Sequence, residues 1–117
     1  MQYILLIYHT EQSFERLTQD EKSALYKEYG AFTQGLARSG NFKAGEELKP
    51  TSMATTVRVR NGRIETTDGP FAETREQLGG FYLIEAKDLD EAIALAARVP
   101  SAGDGSIEVR PINAERP

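Results

Sequence analysis

Gln2-Tyr3-Ile4-Leu5-Leu6-Ile7-Tyr8 is an almost uninterrupted apolar run near the start of the chain. Apolar residues at consecutive positions are typical of a strand inside a sheet that is covered on both faces. The run lacks the basic flank of a signal peptide and is too short to cross a bilayer. It therefore predicts a central β-strand, and we expect no association with a membrane.

A long helix is predicted after the polar segment from His9 to Phe14, for which we expect a loop. Thr18-Gln19-Asp20-Glu21 has the pattern of a capping box, in which the first and last side chains each bond the other's backbone amide. An apolar stripe at helical spacing follows, formed by Leu25, Tyr29, Phe32 and Leu36. Gly40 is suited to end this helix.

Short segments bounded by turn residues predict further strands. Residues 42–48 form one, and residues 55–60 alternate apolar and polar side chains before Asn61-Gly62, a strong two-residue hairpin signal. A return strand, two glycine-containing turns and another strand follow, at 63–67, Asp68-Gly69-Pro70, Gly79-Gly80 and 81–85.

A second helix is predicted with Asp88 as its N-cap and Pro100 as its stop. We expect its buried face to consist of Leu89, Ile93 and Ala96. A last strand spans residues 106–110, and residues 113–117 form a frayed tail.

The predicted fold class is α+β, with the order βαββ(hairpin)βαβ in one domain of residues 1–117. An antiparallel sheet with two helices on one face is a ferredoxin-like arrangement of the dimeric α/β-barrel type. The second face of the sheet then needs cover, so we expect a homodimer that packs sheet to sheet.

The composition excludes several functional classes. The chain has no cysteine, which excludes disulfides, thiolate nucleophiles and iron–sulfur clusters and favours the cytoplasm. Its formal net charge is −4 and its arginines are interspersed with acids, so we expect no nucleic-acid partner. With one histidine and scattered carboxylates, we also expect no metal and no cofactor.

Four segments resemble one protein family. Asp68-Gly69-Pro70-Phe71-Ala72-Glu73-Thr74-Arg75-Glu76-Gln77-Leu78-Gly79-Gly80-Phe81-Tyr82-Leu83-Ile84 is similar to the characteristic motif of the DGPF branch of the YCII-related family. The segments 3–8, 29–32 and 105–111 are also similar to that family. The resemblance implies a dimeric bacterial protein of ferredoxin-like fold. It also implies a genomic association with extracytoplasmic-function sigma factors.

The wider family is thought to use a His–Asp pair in a cleft, and this chain departs from that pattern. Its one histidine, His9, follows the first strand, whereas the family's histidine lies in the first helix. By position, Tyr29 corresponds to that helical histidine and Asp68 to the aspartate. The catalytic candidates are therefore Asp68, His9 and Tyr29.

Each candidate also has a structural interpretation. Asp68 is either a general base or a cap for its turn, and His9 is either an acid–base group or a surface residue. Tyr29 and Tyr82 are either ligand contacts or core residues with bonded hydroxyls. Phe71 is a candidate pocket wall, and Arg58 is a candidate anion site or one member of a cross-strand ion pair.

Two functional hypotheses remain open. The first is a lyase- or isomerase-like enzyme acting on a small organic acid or phenol, with Asp68 and a His or Tyr partner. The second is a non-catalytic ligand-binding or regulatory module in a sigma-factor pathway.

Overall fold

The computed structural model describes all 117 residues. Its strands are β1 (Gln2–His9), β2 (Phe42–Glu47), β3 (Thr55–Arg60), β4 (Arg63–Asp68), β5 (Gln77–Glu85) and β6 (Ser106–Pro111). Its α-helices are α1 (Glu11–Glu15), α2 (Gln19–Arg38) and α3 (Leu89–Ala96), and single 3-10 turns lie at Thr51–Met53 and Pro100–Gly103. Neither α2, the longest helix, nor any other combines the length and hydropathy that a membrane span requires.

Four strands form one antiparallel sheet in the order β2-β5-β1-β6. The apolar run of β1 lies in the interior of the sheet, as predicted, with Leu5 opposite both Tyr82 of β5 and Val109 of β6. With helices between β1 and β2 and between β5 and β6, this is the ferredoxin-like arrangement. The predicted fold class is confirmed.

Both long helices cover the same face of the sheet. Tyr3, Leu5 and Ile7 of β1 point toward them and are almost fully buried. Phe32 and Leu36 of α2 complete this core together with Ala92, Leu95 and Ala96 of α3. Because side chains alternate along a strand, Ile4, Leu6 and Tyr8 point to the other face, where no helix covers them.

The capping box and the glycine end of α2 are confirmed. The Glu21 amide donates to Thr18 Oγ1 at 3.1 Å, and the Thr18 amide donates to Glu21 Oε1 at 2.9 Å. These bonds also lower the pKa of the Glu21 carboxyl, since they stabilise its charged form. At the other end Gly40 adopts a φ of 80°, which lets the chain turn back beneath the helix.

The loop predicted between β1 and the long helix is wrong in part, since α1 forms there. The amide of Glu11 donates to Gln77 Oε1 at 3.0 Å, and its carboxylate accepts from the amide and hydroxyl of Thr51 at 2.8 and 2.9 Å. These partners are remote in sequence, and a five-residue helix has little stability of its own. Tertiary contacts therefore hold α1, and local sequence does not reveal them.

The turn predicted at Gly79-Gly80 is also wrong, because β5 begins at Gln77 and runs through both glycines. The two residues allow close approach across strands. A side-chain carbon at Gly80 would lie 2.8 Å from the carbonyl oxygen of Glu46, and the pairing with β1 has a bulge at this point.

The buried face of α3 differs from the prediction. Ala96 is buried as expected, but Leu89 and Ile93 remain 49% and 50% exposed. The helix packs on the sheet through Ala92 and Leu95 instead. Alanine therefore occupies two of the three buried positions of α3, and the larger Leu89 and Ile93 lie on its exposed side.

The predicted hairpin forms an arm, residues 55–68, that is separate from the main sheet. Asn61 and Gly62 have φ values of 52° and 75°, as a tight two-residue hairpin turn requires. The arm projects from the body, and the radius of gyration is 16.3 Å, whereas a compact chain of this length would have about 13 Å.

Replacing Phe32 by alanine should destabilise the fold strongly. Its ring is buried and meets the Tyr82 ring edge-on, with centroids 5.2 Å apart. We expect Phe32→Ala to lower the free energy of unfolding by about 3–5 kcal/mol through the cavity it leaves. Urea denaturation at one fixed protein concentration measures this, with the exposed Gln34→Ala on the same helix as control. A loss below about 1 kcal/mol would contradict the assigned packing of α2.

Candidate functional site

A cavity of about 390 Å³ lies between α2 and the end of the sheet where β1 stops. Its walls come from the ends of β1, β2 and β5, from α1 and α2, and from the turn that contains Ser101. A neighbouring cavity of about 240 Å³ shares His9, Phe14, Tyr26, Glu47 and Gly79 with it. The two together form a cleft of the size that small-molecule ligands occupy.

Hydroxyl groups from α2, β5 and the Ser101 turn meet in this cavity. Tyr29 Oη and Ser101 Oγ are 2.6 Å apart, and Tyr82 Oη and Thr33 Oγ1 are 2.7 Å apart. Thr33 Oγ1 also donates to the carbonyl oxygen of Tyr29 at 2.9 Å. Since a threonine hydroxyl has one proton, Tyr82 must donate to Thr33, which leaves the Tyr82 oxygen free to accept.

Tyr29 keeps its proton at neutral pH. Burial raises the pKa of its phenol above the ordinary 10.0, although the hydrogen bond with Ser101 acts in the opposite direction. When Ser101 Oγ donates to Tyr29 Oη, the Tyr29 proton is free to bond a ligand. Tyr29 and Tyr82 then present one donor and one acceptor to the same space.

His9 lies at the end of β1, half-buried, and lines both cavities. The structure gives neither of its ring nitrogens a hydrogen-bond partner, and its ring stacks at a tilt on Phe14 with centroids 6.1 Å apart. Gly79 makes room for it, because a side-chain carbon there would overlap the imidazole at Nε2. An unbonded imidazole in a cleft offers a ligand one hydrogen-bond donor and one acceptor.

Tyr26 and Glu47 form a pair at the rim of the cavity. Tyr26 Oη donates to both oxygens of the Glu47 carboxylate, at 2.9 and 3.2 Å. The pKa of Tyr26 is raised, first by partial desolvation and then by this carboxylate. The pair was not predicted from the sequence, although Tyr26, Tyr29 and Thr33 follow one row of a helix, and that spacing indicates a polar stripe beside the apolar one.

The charged residues that line the larger cavity are all acidic. They are Glu47, Asp104 and Glu46, the last with its side chain toward the opposite face of the sheet, and no lysine or arginine lines it. Nowhere in the structure do three or more His, Asp or Glu side chains meet as a metal ion would require. The lining thus offers hydroxyls, one imidazole, aromatic walls and carboxylates.

Comparison with known proteins identifies the family. The family model for the YCII-related domain matches residues 1–115. An uncharacterized protein of Rhizobium meliloti (strain 1021) is 36% identical over 119 residues, covering 100% of this chain and 96% of that protein. The chain belongs to the YCII-related family.

A solved structure has a similar fold. It is that of 5-chloro-2-hydroxyhydroquinone dehydrochlorinase from Burkholderia phenoliruptrix AC1100, in complex with 2,5-dihydroxybenzoquinone. The TM-score is 0.56 at 16% sequence identity, with 97% of this chain and 94% of the other covered. At this identity the likeness concerns the fold.

This YCII-related chain brings together three of the six predicted site residues. His9, Tyr29 and Tyr82 line the larger cavity. Asp68, Phe71 and Arg58 lie on the arm or directly after it, exposed and outside the cavity of their own chain. Arg58 stands opposite Glu65 across the arm, but the two side chains form no ion pair.

The turn that contains Asp68 is fastened by other groups. The Gly69 amide donates to the carbonyl oxygen of Ala54 at 2.7 Å, and Thr56 Oγ1 donates to the carbonyl oxygen of Gly69 at 2.8 Å. The DGPF motif thus divides into an exposed first half and a second half that becomes β5.

Gly79→Ala should displace the imidazole of His9, because the added methyl group occupies its place. His9 is the one histidine of the chain, so its imidazole signals can be followed by NMR without ambiguity. We expect those signals to move in Gly79→Ala and to stay in place in Gly103→Ala, where an added carbon meets nothing within 4 Å. Unchanged signals in Gly79→Ala would contradict the position of the ring.

Proposed function

We propose that the larger cavity binds a small, uncharged, hydroxylated ring compound and that His9 transfers a proton during a lyase- or isomerase-type reaction. One observation carries the proposal: an unbonded imidazole and two tyrosine hydroxyls share one aromatic-walled cavity of about 390 Å³. Catalytic acids and bases occupy such clefts, within reach of the ligand atoms on which they act.

The charges of the lining favour a phenol over an organic acid. A carboxylate that enters the cavity loses hydration, and this cost is offset only when a cation or several donors replace the water. Glu47 and Asp104 would repel it, and no lysine or arginine is present to pair with it. The dehydrochlorinase of similar fold is named for a hydroxyhydroquinone substrate, which supports the same class of compound.

The residues suggest a division of roles. His9 takes a proton from a ring hydroxyl, and the electron pair of the broken O–H bond leaves negative charge on that oxygen and the ring. In a lyase-type step a substituent then departs as an anion with its bonding pair; in an isomerase-type step His9 returns the proton to a ring carbon, and the pair forms the new C–H bond. Tyr29 donates a hydrogen bond to a ring oxygen as charge grows there, and Tyr82 accepts one from a ring hydroxyl. Their fixed bonds to Ser101 and Thr33 hold both tyrosines in place.

Binding without turnover is the second candidate. It is favoured by the free nitrogens of His9, because catalytic histidines are commonly oriented by a third group. A ligand that binds in the cavity with no chemical change would support this function over the enzymatic one.

Variants of His9, Tyr29 and Asp68 test the enzymatic proposal. Each is assayed with two compounds of similar size, hydroxyhydroquinone and a benzoate. We expect the phenol to bind and the benzoate to bind far more weakly. His9→Asn should lower turnover by about 10²–10⁴, since Asn cannot accept the proton, and Tyr29→Phe should also lower it.

Asp68→Asn is the matched control, because Asn forms the same turns and Asp68 lies outside the cavity of its own chain. We expect it to keep its melting temperature and its turnover. Full activity in His9→Asn would refute the role of His9, and a loss confined to Asp68→Asn would assign the base to Asp68. Binding of the benzoate as tightly as the phenol would refute the substrate class.

We also propose that the protein is a homodimer joined through the uncovered sheet face. Ile4, Leu6, Phe81 and Leu83 form the apolar centre of that face and are half-buried in the single chain. We expect a buried area above about 1,000 Å². Light scattering at micromolar concentration should give the mass of two chains, and Leu6→Asp should give one. A stable monomer of the unmodified protein would contradict the proposal.

A further inference from the structure

The arm is an amphipathic ribbon whose apolar side nothing in the chain covers. The register between β3 and β4 places Val59 opposite Ile64 and Val57 opposite Thr66, all on one face. Val57, Val59 and Ile64 are 60%, 59% and 75% exposed. The opposite face carries Thr56, Arg58, Arg60, Arg63, Glu65 and Thr67.

Such a ribbon needs a partner surface. A two-stranded hairpin alone is marginally stable in water, and alternation of apolar and polar residues is typical of a sheet covered on one side. The polar face has the composition of a solvated surface, so the apolar face is the side that a partner covers.

The charge of the arm indicates an acidic partner. Its tip has three arginines within six residues, and Arg60 stands directly opposite Arg63 with no acid paired to either. Like charges in that position destabilise a hairpin. Residues 55–68 carry one more positive than negative charge, which leaves −5 on the rest of a chain of net −4.

We propose that the arm packs through its apolar face on a second copy of this chain, with its arginine tip against the acidic body of that copy. The body offers the acidic complement at the ends of its uncovered sheet face. One row across the strands reads Glu46, Phe81, Leu6 and Glu108; its apolar centre is buried in the sheet-to-sheet contact, and the arm packs beside that contact, toward an acidic end. In the chain the arm lies between β2 and β5, which both belong to this same sheet. In a dimer with a two-fold axis, the arm of each copy therefore packs on the body of the other.

This docking places the first half of the DGPF segment at the interface. Asp68 shares the face of Val57 and Ile64, and Phe71, three residues later, is 81% exposed in the single chain. The proposal is independent of the chemistry of the cavity. It adds to the sheet-to-sheet dimer a contact that such a dimer does not require.

The absence of native cysteine makes the two faces of the arm separately testable. Ile64→Cys and Thr67→Cys introduce one thiol each, on opposite faces of the same strand, at positions that are both exposed in the single chain. Maleimide labelling of the native protein should be at least about tenfold slower for Ile64→Cys, because the thiol reacts only after the copies separate. Val57→Cys on β3 should be protected in the same way.

A charge substitution supplies the second measurement. Ile64→Asp should raise the dimer dissociation constant and Thr67→Asp should not, and higher salt should weaken the unmodified dimer. Equal labelling of both thiols in a protein that light scattering shows to be dimeric would overturn the arm contact and leave the sheet dimer standing. A monomer would overturn both, whereas neither result bears on turnover at His9.

Discussion

The packing of α2 against β5 is the contact on which the core and the candidate site both depend. The Phe32 and Tyr82 rings meet edge-on in the core, and the next residue of the helix, Thr33, accepts a hydrogen bond from the Tyr82 hydroxyl. A shift of the helix along its axis would break both contacts at once. The same register places Tyr29, one turn earlier, within hydrogen-bonding distance of Ser101.

Three glycines shape the space that this contact leaves open. A side-chain carbon at Gly45 would lie 2.7 Å from the Tyr82 ring, one at Gly79 would overlap His9, and one at Gly80 would approach the backbone of β2. Removing side chains from these strands lets the aromatic and imidazole rings lie where they do. The cavity therefore follows from small residues on the sheet as much as from the polar residues that line it.

The features predicted from sequence are those with local causes. The capping box at Thr18, the hairpin at Asn61-Gly62 and the apolar run of β1 each need neighbours only a few residues away. The features missed depend on distant parts of the chain. Glycines that admit a neighbouring strand look the same in sequence as glycines of a turn, and α1 exists because Glu11 finds Thr51 and Gln77. The site divides similarly: residue chemistry singled out His9 and Tyr29, but the proximity of Ser101 and Glu47 is a product of the fold.

Glu11 also connects the arm with the cavity. Its carboxylate binds Thr51, just before the arm, and its amide binds Gln77, just after it, so one residue ties together both segments from which the arm projects. Glu11 begins α1, and Phe14 of that helix lines the cavity beside His9. These hydrogen bonds connect the base of the arm to one wall of the cavity. The DGPF motif begins in the exposed turn at the end of the arm and continues into β5, which forms part of the cavity wall. The hydrogen bonds of Glu11 hold these two parts of the motif next to each other, which gives a physical reason for one continuous motif.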